Sequence, residues 1–322
     1  MESTLALEKM GSGARSSDAP LWQQMSIDEF AADERSQSAA IVRRGGIYWR
    51  RVRPFLFRPL LVMKTYPAAS VVSPGVKLWT AFQHGVPAGE PANSFLNLLL
   101  FDDISSYSLA SLDSSKRRQV RLAAKEFTVR PVTDAEEFKE KAYPVYLEFY
   151  ERTKYDYMAE RRHFECFARW TDWLYSLPKT VVLGGYQHGE LAAVSTSMWV
   201  EDVVLCPAAF CSGQALKLHA NSLMLHTVRD AAARCPGIRL IYAGPYKYNE
   251  GRGVDAFYLE RGCRIVRTPA RLHINPALKL LLASLLPRQC RKLWGELDDA
   301  AGLDERFHGQ IVIGGSPEPC AQ

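Results

Sequence analysis

Three strand-like runs joined by two short turns constrain the fold of this chain more than any other feature. Residues 180–186, 190–200 and 203–210 are rich in Val, Ala and aromatic side chains and are interrupted only by Gln187-His188-Gly189 and Glu201-Asp202. Turns this short return the chain beside itself, so the runs read as an antiparallel meander. Residues 221–234 follow, with Leu223, Met224, Thr227, Val228 and Ala231 on one helical face, and Pro236-Gly237 ends that helix. Residues 238–243 make the next strand.

The flanks continue the alternation. Upstream, FTVRPV from Phe127 is a short strand, and Asp134 with Glu137 three residues later caps a helix that Pro144 limits or divides. Phe164, Phe167, Thr171, Leu174 and Tyr175 then form a helical stripe that should pack on a sheet. Downstream, a polar loop (GPYKYNEGRG) leads to a short helix over 254–261, stopped by Gly262, and to a strand over 263–267.

A chain of 322 residues makes about two compact units at the usual domain size. Residues 1–37 read as a flexible tail and 38–112 as an N-terminal α+β subdomain with short strands such as 47–49 and 94–101. Residues 113–275 read as a catalytic domain and 276–322 as a C-terminal helix and tail. Hydrophobic residues at 47% and charged ones at 23% exclude wholesale disorder and a membrane-spanning class. The longest apolar run, 276–287, includes Lys279 and falls short of the ~20 residues that cross a bilayer, so it reads as a packed or interfacial helix. Seven cysteines without a C-x-x-C pair argue against both a metal site and a disulfide framework, and the first 24 residues lack the apolar core of a signal peptide. The expected location is the cytoplasm.

The formal net charge of +5 is unevenly spread. Arg43, Arg44, Arg50, Arg51, Arg53 and Arg58 crowd one stretch, and Lys116, Arg117, Arg118, Arg121 and Lys125 a second. Such clusters are either solvated faces or attract an anionic partner such as a phosphorylated cofactor, RNA or a lipid surface.

The order of elements from Phe127 to Arg267 resembles that of GNAT N-acyltransferases, a mixed-sheet α/β fold, and three segments carry the resemblance. Lys217-Leu218-His219-Ala220-Asn221-Ser222 is similar to the family's pyrophosphate loop, with small residues where glycines usually stand. A helix start there offers unsatisfied backbone N–H groups and a partial positive charge, although Asn221 or Ser222 would equally cap an ordinary helix. Residues 256–263 (AFYLERGC) resemble the closing motif, a helix carrying Tyr258 four residues before Gly262. Gly253, Val254, Phe257 and Gly262 also match a run in GNAT domains related to the aminoacyl transferases that build peptidoglycan bridges, with Tyr258 in place of the usual Lys. Residues 112–125 (LDSSKRRQVRLAAK) resemble the basic linker of those relatives.

The resemblance implies transfer of an acyl group from an acyl-CoA, acetyl-CoA or another, to a small amine acceptor. The donor's pantetheine arm would run along residues 203–211, Cys211 included, with Lys217, His219, Ala220, Asn221 and Ser222 at its phosphates. Tyr258 would be the acid for the departing thiolate. Glu201, His219 and Glu250 are the candidates for draining the amine's proton, Glu201-Asp202 being equally a hairpin turn. Tyr242, Tyr246, Tyr248 and Asn249 would line the acceptor pocket. Two other readings stand beside this one. The donor is an aminoacyl-tRNA held by the basic segments, or the chain is a non-catalytic binding module whose phosphate loop has decayed.

Overall fold

A computed structural model describes residues 20–37, 39–53, 55–75, 80–153, 158–246, 253–285, 287 and 311–313. In chain order the elements are β1 (Gln24–Met25), α1 (Ile27–Ser36), β2 (Ile41–Arg44), β3 (Ile47–Arg51), β4 (Leu56–Pro59), β5 (Ala81–Gly85) and β6 (Ser94–Phe101). Then come α2 (Ser114–Glu126), β7 (Thr128–Pro131), α3 (Ala135–Thr153), α4 (Phe164–Ser176), β8 (Thr180–Gln187), β9 (Glu190–Val200) and β10 (Val203–Cys211). The chain continues through α5 (Gly213–Lys217), α6 (Ala220–Ala233), β11 (Leu240–Pro245), α7 (Gly253–Leu259), β12 (Arg264–His273), α8 (Pro276–Leu285) and β13 (Ile311–Ile313).

Tight turns set the hairpins. Gly45 and Gly46 have φ of 57° and 75°, and His188 and Gly189 have φ of 52° and 88°, the left-handed pair a two-residue hairpin turn requires. They join β2 to β3 and β8 to β9.

The strands form one mixed sheet in the order β2-β3-β4-β5-β12-β6-β11-β10-β9-β8-β7. Read outward from the β12–β6 pair, the two wings have the same pattern. β5 lies antiparallel to β12 and parallel to β4, and β4 antiparallel to β3; β11 lies antiparallel to β6 and parallel to β10, and β10 antiparallel to β9. Each wing borrows its inner strand from the other half of the chain. β6 leaves the N-terminal wing to pair with β11, and β12 leaves the C-terminal wing to pair with β5. The strands of residues 38–112 are therefore hydrogen-bonded into the sheet that carries the meander.

Helices cover both faces. α2, α6 and α7 pack on one face through Val120, Ala123, Leu223, Met224, Val228 and Leu259, while α3 and α4 pack on the other through Phe138, Tyr146, Phe167 and Leu174. α3 runs unbroken through Pro144, contrary to the expected break, because that residue is exposed and the hydrogen bond it forgoes lies on the solvent side. The stretch expected to be a loose N-terminal tail is ordered from residue 20 to 37. Ser26 and Glu29 close a capping box on α1, Trp22 is 1% exposed, and the Trp22 indole donates to the Ser197 hydroxyl at 2.8 Å. Residues 1–19 lie outside the described set. Among the described residues no helix is long and apolar enough to cross a membrane.

Candidate functional site

β10 and β11 pair in parallel at Val203–Leu240, Val204–Ile241 and Leu205–Tyr242, and there the ladder ends. Both strands lose regularity at the next step. The register of β10 against β9 shifts between Leu205 and Ala208, a span containing Pro207, which has no N–H to give a neighbour. The register of β11 against β6 shifts between Tyr242 and Gly244, and Gly244 has a φ of 134°, a conformation open in practice to glycine alone. Two local chemistries thus part the strands in the middle of the sheet.

Around the end of the ladder, side chains alternate between the two faces of the sheet. Val204 and Ile241 belong to the core under α2 and α6, and Cys206 and Ala243 pack against the same core. Leu205 and Tyr242 point to the opposite face, against Leu98, Leu100 and Met63. Burial pushes the Cys206 thiol up to about 12, which keeps it protonated and unsuited to nucleophilic work. Burial likewise pushes the Tyr242 phenol up to about 12, against an opposing pull from the Arg58 guanidinium. Arg58 sits on β4, four places along the sheet order from β11, and its charge is what opposes the effect of burial on Tyr242.

The sequence-predicted residues divide into groups. Cys211 is 1% exposed; burial pushes its thiol up against the opposing influence of Arg152 and the Asn221 side chain, and its carbonyl accepts from Arg152 Nη2 at 2.9 Å. The segment before α6 is not the simple strand-to-loop passage expected, because α5 intervenes and His219, with a φ of 63°, starts α6. Two groups in this region are engaged within the chain. The Gly213 N–H donates to Glu148 Oε1 at 2.7 Å, and the buried Ser222 hydroxyl accepts from Arg261 Nη2 at 3.0 Å. Ala220 is buried, whereas Lys217 is exposed.

Tyr258, on α7, sits edge-on to Phe101 and Phe257 at ring separations of 6.1 and 5.5 Å. Phe101 lies opposite Ile241 in the β6–β11 ladder, so Tyr258 approaches the sheet one rung before Tyr242 and from the other face. Tyr246 N–H donates to the Asn97 carbonyl, which ties the strand end to β6. Glu201 is elsewhere. It lies at the turn before β10, at the far end from the opening, and its Oε1 accepts the Ile27 N–H at 2.7 Å at the start of α1. Tyr248, Asn249 and Glu250 lie outside the described residues.

Sequence reasoning missed Arg58 as a site residue, because it stood in a run of arginines that read as one basic cluster. Its Nε donates to Gln83 Oε1 at 3.0 Å, and Gln83 is fully buried. The one local signal is position: Arg58 lies between Leu56 and Pro59, both buried.

No protein-family model matches the chain, and no curated protein matches it. Solved structures do. The C-terminal domain of a protein described as a lysylphosphatidylglycerol synthetase, from Agrobacterium fabrum, aligns over 80% of this chain and 94% of its own, with a TM-score of 0.51 and 12% identity. FemX aligns over 81% of this chain and 93% of its own, with a TM-score of 0.53 and 11% identity. The likeness is one of fold, the mixed α/β fold that this chain shares with those two structures.

Proposed function

We propose that the chain is an acyltransferase that moves an acyl group from an acyl-CoA to an amine at the β10–β11 opening. The observation that carries this reading is the end of the parallel ladder at Leu205–Tyr242. Beyond that rung the edge of β10 facing β11 offers backbone N–H and C=O groups to an extended amide chain such as a pantetheine arm, which would add to the sheet as a strand does. The acyl carbonyl would then enter between the two strands.

In the reaction the amine nitrogen attacks the thioester carbonyl, the C–N bond forms, the C–S bond breaks, and one proton passes from the ammonium to the departing sulfur. Tyr258 fits the last role, as a phenol on the short helix beside β11 that gives its proton to the thiolate and regains one from the amine through water. Tyr242 and Tyr246 remain proposals for the acceptor side.

One observation favours a second reading, in which the donor is an aminoacyl-tRNA. The Gly213 N–H at the start of α5 donates to Glu148 and the Ser222 N–H donates to the His219 carbonyl, so two backbone donors near the start of α6 are engaged within the chain, while Arg118, Arg121 and Lys125 stand exposed on α2. Melting curves with acetyl-CoA, longer acyl-CoAs and bulk tRNA separate the two, since only a species that binds the folded state raises its melting temperature. Stabilisation by an acyl-CoA together with acyl transfer to an amine supports the first reading; stabilisation by tRNA alone replaces it with the second.

A further inference from the structure

Arg58 on β4 is a cation with no carboxylate partner among the described residues. Arg58 is half-buried, and burial pulls its guanidinium below the ordinary value, with the Tyr242 phenol raising it and Arg53 lowering it further. Among the described residues no Asp or Glu forms an ion pair with it; its hydrogen bond is to Gln83. Removing a guanidinium from water without an anion costs several kcal/mol in general, so such a residue is kept where something else supplies the anion.

The support beneath Arg58 is built. Gln83 is fully buried, and its Nε2 donates to the Ser94 hydroxyl at 3.3 Å and the Phe95 carbonyl at 3.2 Å. Those two contacts fix which end of the amide is which, and they aim Oε1 at Arg58 Nε. With Nε held from behind, the fork of Nη1 and Nη2 has no hydrogen-bond partner among the described residues. Tyr242, the last residue of β11 paired with β10, has its phenol influenced by the Arg58 charge.

We infer that Arg58, oriented by Gln83, binds an oxyanion on the acceptor substrate, a carboxylate or a phosphate, so that the acceptor is an amine that also carries an anionic group. The placement on the acceptor rests on the acyltransferase reading, since the donor seat proposed above lies toward α6 and Arg58 comes from the opposite wing. The N-terminal wing thereby supplies substrate selection to a centre built by the C-terminal wing. An Arg fork pairs with a planar carboxylate through two parallel bonds, and with phosphate through charge as well as geometry.

The experiment compares wild type with Arg58→Met and Arg58→Lys in titrations with glycine, glycinamide and inorganic phosphate, read by calorimetry and by melting temperature. Wild type should bind glycine or phosphate saturably and glycinamide about 10- to 100-fold more weakly, the span of a charged hydrogen-bonded pair. Arg58→Met should lose the anion response to a similar degree. Retention of binding in Arg58→Lys assigns the ligand as phosphate, and loss assigns it as carboxylate. Because the variant removes an unpaired cation, Arg58→Met should melt at or above the wild-type temperature; a marked fall would make Arg58 a structural residue and overturn the proposal. Equal anion binding by wild type and Arg58→Met, or none by wild type, overturns it as well. If the anion response vanishes in Arg58→Met while no amine is ever acylated, the oxyanion site stands and the acyltransferase reading fails.

Discussion

Leu205 and Tyr242 face each other at the last rung on which β10 and β11 pair, and everything chemical in the proposed site follows from what happens two residues later. Pro207 withholds a donor and Gly244 turns its backbone to a φ of 134°. A Cβ added at Gly244 would meet no atom within 4 Å, so any penalty there comes from the backbone alone. Gly244→Ala should therefore lower unfolding free energy by about 1–3 kcal/mol, the cost of holding an L-residue in a glycine conformation. Denaturant titration measures this, and an unchanged midpoint would mean that the strand end adopts another conformation.

Trp22 locks the N-terminal segment onto the meander. Its indole N–H donates to Ser197, which is fully buried, across the outside of β9. Trp22→Phe keeps an aromatic ring but leaves the Ser197 hydroxyl without that donor, and it should destabilise the chain by about 1–3 kcal/mol. Double substitution with Ser197→Ala should recover part of the loss, which a cycle of four unfolding curves would detect.

The fold was legible where local chemistry decides it. Hairpin turns at His188-Gly189 and at Glu201, the α6 stripe and the stop at Gly262 all depend on neighbours close in sequence. The partner of β6 does not. Leu96, Leu98 and Leu100 face one side of that strand and Leu99 and Phe101 the other, a pattern that announces a strand buried on both faces without saying that it will lie between β11 and β12. The same holds for the two charged residues that matter most here. Glu201 was read correctly as a turn, but its carboxylate caps a helix 174 positions away. Arg58 stands in the same arginine-rich run as exposed Arg53, and the buried positions beside it, which the packing of the sheet creates, separate the two.

Stability should depend on pH through His273. Its ring stacks on Phe82 at 4.4 Å and faces His84 at 5.6 Å, and burial, then the charges of His84 and Arg271, lower its pKa to about 4. The unfolded chain binds this proton near the usual pKa of about 6.5, while the folded chain does not until about 4, so the unfolded state is favoured as protons are added. The contribution is fully present above about 6.5 and is lost as pH falls toward 4; lowering of the His84 pKa by burial acts in the same direction. Melting temperature should fall across that window, and His273→Gln should flatten the fall. A slope unaffected by the substitution assigns it to other groups.

The exposed basic face of α2 separates the two donor readings. Neutralising Arg118, Arg121 and Lys125 to Gln should weaken tRNA binding and reduce its salt slope by roughly two to three units, because each phosphate contact releases a counter-ion. The response to acetyl-CoA should stay as it was. If tRNA binds and neither its affinity nor its salt dependence changes, that face of α2 is merely solvated.

Tyr258 and Glu201 make the sharpest pair of substitutions, because they were proposed for the same chemistry and the fold gives them different surroundings. Tyr258 stands against Phe101 and Phe257, one rung from the β10–β11 opening, and Tyr258→Phe keeps the ring that makes those contacts while removing the proton it can give. Turnover should fall by about 10² to 10⁴ with donor affinity nearly constant, the range for a lost general acid. Glu201 caps α1 through the Ile27 N–H and lies 3.9 Å from Lys64 Nζ, at the end of β10 that does not open. Glu201→Gln should cost stability and leave turnover per folded molecule intact. Measured together, a Tyr258→Phe variant that keeps its turnover makes the phenol a packing group, and a Glu201→Gln variant that loses turnover without losing stability returns the base to the β9–β10 turn.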